Sequence, residues 1–310
     1  MTREMVRHSS RIKGTFMVLF SCSLWGISGS MVQYLIQHHG FAPDWLVTIR
    51  LIFSGMILLS FSSAFGNKRS IWSIWQSKNE RFPLLVYSIM GMLGVQYTFF
   101  VAIEKSNIAT ATLLQYLGPV FITVYLALLL RRLPSKAENI ALVLALFGTF
   151  FLITNGNISK LNISAEAVFW GLSSAVFLAF YTIYPAKLIQ RWGTMLVNGW
   201  GMLLGGITLS FIAPPWEMQG DISLESILLL VFIIVFGTAI PFSLYTYSTL
   251  YIKPNETSIL ASSEPLTAAI ISVIWLQVSF GLFEWVGSFC IILATIILSL
   301  QKEKRLKSQD

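Results

Sequence analysis

The chain has 310 residues, 55% of them hydrophobic and only 11% charged, with a mean hydropathy of +0.72. That composition excludes an ordinary soluble domain of this size and points to an integral membrane protein. The net charge of +7 does not indicate nucleic-acid binding, because the basic residues fall in short loops rather than among aromatics on a solvated face.

A bilayer core of about 30 Å takes about 20 apolar residues in helical form. The basic N-terminus MTREMVRHSSRIKG leads into an apolar run from Gly14 to Ile36. This run is longer than a signal-peptide core and has no small-residue cleavage site, so it is expected to be a retained first span. Nine more runs follow, near 44–65, 84–103, 107–130, 138–154, 167–189, 194–213, 226–250, 257–277 and 284–300. None alternates as a barrel strand does, and an isolated span in lipid must satisfy its own backbone amides. The expected fold class is therefore an all-α membrane protein with ten transmembrane helices.

Charge orients the spans, since Lys and Arg collect in short cytoplasmic loops. With the N-terminus inside, 18 of the 21 basic residues lie on the cytoplasmic side, in the tails and in loops carrying Lys68, Arg69, Lys78, Arg81, Arg131, Arg132, Lys136, Lys187, Arg191 and Lys253. Lys105 and Lys160 fall outside, and Arg50 falls within a span. Both termini are expected to be cytoplasmic. The connector at 66–83 is basic, with Trp72 and Trp75 expected at headgroup level, and no soluble catalytic domain is expected.

A shift of 146 residues lays ATLLQYLGPVFITVYLALLL (111–130) on TSILASSEPLTAAIISVIWL (257–276) without a gap. It pairs Leu114 with Leu260, Pro119 with Pro265, Leu130 with Leu276, Glu138 with Glu284 and Gly91 with Gly237. Each half holds five spans, and an odd number inverts the second half relative to the first, a pattern that suits a transporter. The expected organisation is a five-helix repeat at 14–154, a second at 167–300, and basic cytoplasmic tails at 1–13 and 301–310.

Polar residues inside the spans are the candidate site. In LASSEPLTAAI, Glu264 precedes the helix-kinking Pro265, which leaves a carbonyl one turn earlier without its N–H. Thr257, Ala261, Glu264, Ala268 and Ser272 share one small, polar helix face that suits the bundle interior. Glu264 either binds substrate or carries a proton, or else it fixes the kink or closes the cytoplasmic gate. The equivalent point, Gly118-Pro119, keeps the kink without the charge. Arg50 contacts an anionic substrate group, snorkels outward or pairs with Asp44, and is expected at a different depth from Glu264. Trp25 and Trp200 line a cavity or simply pack, and Tyr97, Gln115, Tyr116, Tyr181 and Tyr245 are polar-tipped cavity candidates. Gly201 and Gly205 form a GxxxG contact, within the chain or at a dimer seam.

LFSCSLWGISGS, TIRLIFSGMILL, LQYLGPVF and SSEPLTAA together resemble the first-, second-, fourth- and ninth-helix motifs of the EamA-type transporters in the drug/metabolite transporter superfamily. The resemblance covers nearly the whole chain. It implies two inverted five-helix repeats around a central cavity, and secondary transport, often efflux, of small metabolites such as amino acids. Many members carry a Gly-Glu pair after helices four and nine, whereas Arg131 and Gln277 hold the Glu positions here.

The implied partners are the lipid bilayer, a small-molecule substrate and, through Glu264, protons; the membrane is expected to be the cell membrane. No cofactor or metal is expected. Cys22 and Cys290 sit in spans as packing residues, the three histidines lie outside the spans, and no P-loop is present. A channel or a non-transporting scaffold is the competing class, with an intramembrane enzyme behind it for want of reactive groups at membrane depth. The sequons at Asn157 and Asn162 fall in an expected outer loop.

Overall fold

A computed structural model of the chain describes residues 2–65, 71–129, 131, 133–157, 163–218, 220–248, 250–252, 257 and 260–306. The sequons extend into residues outside this set, as do Lys68, Arg69, Arg132, Lys160 and Lys253. Among the described residues every regular element is helical.

The first half contains α1 (Thr2–His39), α2 (Pro43–Phe65), the short α3 (Ser73–Gln76), α4 (Lys78–Val86), α5 (Gly94–Lys105), α6 (Ile108–Gln115), α7 (Gly118–Leu129) and α8 (Lys136–Thr154). The second half contains α9 (Ala165–Ile183), α10 (Ala186–Trp192), α11 (Thr194–Leu209), α12 (Leu224–Ile234), α13 (Ile240–Ser248), α14 (Ser263–Ile274) and α15 (Leu282–Leu306). One π-helical segment, Tyr87–Leu93, joins α4 to α5, and another, Val235–Ala239, joins α12 to α13.

Boundaries follow from local chemistry. Gly40 stops α1 at a positive φ of 66°, which an L side chain resists, and Pro43 opens α2 where its missing N–H costs nothing. Asn107, Ser135, Ser164 and Ser223 each accept a backbone N–H at the start of α6, α8, α9 and α12.

Among the described residues, seven helices are long and apolar enough to cross a bilayer: Ile12–His39, Pro43–Ala64, Lys78–Lys105, Ile108–Leu129, Lys136–Thr154, Ala165–Ile183 and Leu224–Tyr245. Three shorter apolar helices, Thr194–Leu209, Ser263–Ile274 and Leu282–Leu298, stand where the remaining spans were expected. Three expected spans are interrupted ahead of a proline. The run at 107–130 turns at Tyr116 and Leu117 before Pro119, the run at 167–189 stops at Ile183 ahead of Pro185, and the run at 257–277 is interrupted at Ser262, just before Glu264-Pro265.

The 146-residue shift recurs in the backbone. Gly91 and Gly237 each lie inside a π segment. Arg131 and Gln277, also 146 apart, are left-handed with φ of 48° and 53°. Ser135 N–H donates to Glu138 Oε2 at 2.7 Å, and Gly281 N–H to Glu284 Oε2 at 2.6 Å, so paired glutamates close the starts of α8 and α15.

Packing runs mainly along α2 with α11, α8 with α15, α5 with α9, and α1 with α13 and α14. The largest buried apolar cluster includes Leu51, Leu58, Phe100, Val197 and Met202, and a second joins Leu114, Ala141, Leu152, Ala175 and Ile291. Gly201 and Gly205 pack on Tyr87 and Ser88 of the same chain. The outside of α8 is apolar and exposed, with Leu146 at 72% and Phe147 at 57%, as a lipid-facing surface requires.

Glycine sets the α8–α15 distance. A Cβ on Gly148 would stand 2.7 Å from the Gly287 carbonyl oxygen, and one on Gly287 would stand 2.6 Å from that of Gly148. Both obstacles are backbone, so neither can rotate away. Gly148→Val or Gly287→Val is expected to cost about 1–3 kcal/mol, seen as a lowered unfolding temperature of detergent-purified protein. The lipid-facing Leu146→Ala is expected to leave that temperature almost unchanged.

Candidate substrate and coupling site

Two spans are broken at matching places. α6 ends at Gln115 and the helix resumes at Gly118 after a turn at Tyr116 and Leu117, while in the second half a turn at Ser262 precedes α14. Pro119 and Pro265 lie in the first turn after each break, where a proline is tolerated. Broken helices leave polar backbone inside the membrane, which is stable only where protein or a water-lined cavity receives it.

The two breaks touch. Pro265 has no N–H to give to Ala261, four residues earlier, and the Tyr116 hydroxyl fills the vacancy by donating to the Ala261 carbonyl at 2.6 Å. The same hydroxyl lies 3.2 Å from Glu264 Oε2. Glu264 sits in the first turn of α14, where the positive end of the helix dipole favours a carboxylate.

A small aromatic wall adjoins this contact. Trp25 of α1 meets Phe242 edge-on and Tyr245 at a tilt, each with ring centroids 5.3 Å apart. Trp25 and Tyr245 also pack with Cys22, Leu260 and Ala261, so α1, α13 and the second break share one cluster. The backbone of α1 comes close here because residue 26 is glycine: a Cβ would stand 2.9 Å from Ala268 N and 3.1 Å from Glu264 O. Ala268 and Ser272 are buried on the same face, as the spacing of small residues in this span implies.

Arg50 is only 8% exposed. It snorkels to neither surface and does not pair with Asp44, whose Oδ1 instead accepts the Trp45 N–H at 2.8 Å. Arg50 Nε donates to Thr238 Oγ1 at 2.8 Å and Nη2 to the Gly237 carbonyl at 3.3 Å. The guanidinium also lies over the Phe100 ring, 5.2 Å from its centroid. Thr238, in the π segment, in turn donates its hydroxyl proton to Ile233 O, five residues back in α12. The irregular turn thus presents both of the acceptors that Arg50 uses.

Nη1 of Arg50 has no hydrogen-bond partner among the described residues. The charge of Glu264 acts on the guanidinium electrostatically, with no salt bridge between the two among the described residues.

The other sequence candidates divide. Gln115 ends α6 half-buried, with no hydrogen-bond partner for its amide among the described residues. Tyr181 stacks on Tyr87 at 5.8 Å, and Tyr87 donates to Asn198 Oδ1 at 2.7 Å. Tyr97 meets Trp170 edge-on at 5.9 Å. Trp200 does not join the group. Its Nε1–H donates to the Ile71 carbonyl at 2.9 Å and its ring packs on Trp72 and Trp75, so it anchors the connector that covers α11.

Three participants escaped the sequence reading. Thr238 and Phe242 look like ordinary span residues, and their role depends on contacts with residues far away in sequence. Gly237 gave a signal, its register with Gly91, whose meaning is the paired π segment.

The family model for the EamA-like transporter family matches residues 12–154 and 165–300. The chain belongs to the EamA-like transporter family. It is 40% identical over 299 residues to a protein named uncharacterized inner membrane transporter YicL of Salmonella typhimurium, covering 96% of this chain and 98% of that relative. It is 24% identical over 272 residues to the threonine/homoserine exporter RhtA of Escherichia coli K12, covering 86% of this chain and 85% of the exporter. A solved crystal structure shares the fold at a TM-score of 0.62 and 17% identity, over 96% of this chain and 98% of that one. The protein is accordingly an EamA-type member of the drug/metabolite transporter superfamily and a multi-pass protein of the cell membrane. These two relatives are named as a transporter and an exporter.

Thr238→Val is expected to leave the buried Arg50 Nε–H without an acceptor and to cost about 1–3 kcal/mol. Thr238→Ser keeps the hydroxyl and should unfold close to the wild-type temperature. Thermal unfolding of the purified proteins in detergent compares the three.

Proposed function

We propose that this transporter exports small metabolites such as amino acids by gradient-driven alternating access. The working architecture is ten spans in two inverted five-helix repeats, 14–154 and 167–300, with both termini and the tails 1–13 and 301–310 in the cytoplasm. The observation that carries the reading is the meeting of two broken helices, 146 residues apart in register, through Tyr116 and Glu264. Contact between equivalent breaks is what two halves exchanging roles would make and release.

The site suits a zwitterion. Arg50 presents an unused Nη1 to a carboxylate, Glu264 stands within electrostatic range of it, and Trp25 of α1 with Tyr245 of α13 offers apolar area beside the second break. Gln115 adds an uncommitted amide at the first break. Protons are the proposed coupling ion, through Glu264. The name of the RhtA exporter makes threonine and homoserine the first probes.

Cells expressing the wild-type chain are expected to release loaded threonine or homoserine faster than cells without it, at matched membrane levels. Arg50→Ala should lower that rate at least about tenfold, the loss of one charge-assisted contact, and Arg50→Lys should not restore it, because an ammonium cannot hold Thr238 and Gly237 in the guanidinium's fork. Untargeted mass spectrometry of cells and medium extends the test beyond these two probes. A wild-type chain that shifts no metabolite in either direction overturns the exporter reading. Reporter fusions at each end test the cytoplasmic termini; an external reporter signal at either end would rule out the inverted arrangement drawn above.

A further inference from the structure

We infer that Tyr116 is a positioning residue that makes the contact between the two halves depend on the proton of Glu264. The inference rests on the transporter reading above and extends it to how a proton would act on the protein.

A phenol has one proton to donate, and the structure gives the Tyr116 oxygen two acceptor neighbours: the Ala261 carbonyl at 2.6 Å and Glu264 Oε2 at 3.2 Å. Ala261 has no alternative donor one turn ahead, because residue 265 is proline. With the phenolic proton committed to Ala261, the Glu264 contact is a hydrogen bond only when the carboxyl carries its own proton and donates it to the Tyr116 oxygen. Protonated Glu264 thus completes a chain, carboxyl O–H to phenol oxygen and phenol O–H to carbonyl, that ties α14 and the second break to the first break.

Loss of the proton to water leaves the carboxylate and the Ala261 carbonyl competing for one phenolic proton. Whichever acceptor takes it, the other faces Tyr116 with lone pairs only, and an unpaired acceptor in a buried site is costly. The chain is broken at one end, and the two halves lose a link. Among the described residues, the titratable or charged groups that act on Glu264 are Tyr116 from the first break, Cys22 from α1, Arg50 from α2 and Tyr245 from α13. Of these, Tyr116 is the one in hydrogen-bond contact with the carboxylate.

The second half holds Ser262 where the first holds Tyr116, and Ser262 is buried with its hydroxyl unpartnered. A serine cannot reach across as a tyrosine does, so the link exists once.

The test uses Cys22, which is fully buried beside Glu264 and Tyr116. In full-length protein carrying Cys290→Ser, Cys22 is the sole thiol. Its alkylation by a small membrane-permeant maleimide is timed in liposomes at an acidic and an alkaline pH. Each rate is divided by that of the same chain denatured in dodecyl sulfate and urea at the same pH, which removes the effect of pH on the exposed thiol and needs no second variant. Wild type should be protected at acidic pH and lose that protection at alkaline pH. Tyr116→Phe should react about fivefold faster than wild type at acidic pH, the change that one hydrogen bond of ordinary net strength supports. Glu264→Gln, whose amide N–H can donate to the Tyr116 oxygen, should stay protected at both.

Equal rates for wild type and Tyr116→Phe at both pH values would overturn the inference. So would a Glu264→Gln chain that is open at both, a comparison that stands even if Tyr116→Phe does not fold. The readout needs no substrate, so failure to export threonine or homoserine bears on the transport reading alone, and export with an unprotected Cys22 bears on the link alone.

Discussion

A backbone carbonyl inside a membrane must find a donor, and Pro265 denies one to Ala261. The answer comes from the other half of the chain, as the Tyr116 hydroxyl, 145 residues away in sequence. This single repair brings two helix breaks together, sets a carboxylate beside a phenol, and fixes where α1 can lie. Gly26 lets α1 press on the start of α14, and Trp25, one residue earlier, then turns toward Tyr245 and Phe242. The aromatic wall of the site is a consequence of the repair as much as of its own apolar area.

Arg50 obeys the same accounting from the donor side. A guanidinium at membrane depth costs about 2.5–3.5 kcal/mol on insertion scales, so it must be met by acceptors or by water. A regular helix offers only the second lone pair of carbonyls that already serve the N–H four residues on. Here the Gly237 carbonyl and the Thr238 hydroxyl, both in the π segment Val235–Ala239, take up the guanidinium.

Much of this fold was legible in the sequence because bilayer thickness and backbone satisfaction leave few choices for apolar runs of that length. The register of Pro119 with Pro265 and of Glu138 with Glu284 was visible too, and the structure gives it content as paired breaks and paired helix-start carboxylates. What apolar patterning missed were interruptions that do not change composition: the helix end before Pro185 and the two π segments read as continuous hydrophobic sequence. The partners of Arg50 and Tyr116 were illegible for a different reason. Asp44 lies nearby in sequence and Thr238 does not, yet Thr238 is what the guanidinium touches. Trp200 packs, one of the two readings open for it, and what its position in a span concealed is that the Trp72 and Trp75 connector folds over it.

The two halves share a skeleton but not a chemistry, and for a protein of the proposed kind this decides which end state is favoured at rest. If both repeats carried identical side chains, exchanging their conformations would return the same molecule inverted in the membrane, and the two end states would have equal energy. Each difference at the contact between the breaks removes that equality. Here Tyr116 faces Ser262 in register, and Gly118 faces Glu264. The conformation present pairs a phenol with the carbonyl freed by Pro265. Its mirror would ask Ser262 to reach the carbonyl of Gln115, the one freed by Pro119, with a side chain shorter by a whole ring and no carboxyl alongside. On the proposed alternating-access reading, the proline skeleton would supply two comparable states, and the side chains placed on it would make one of them the resting state.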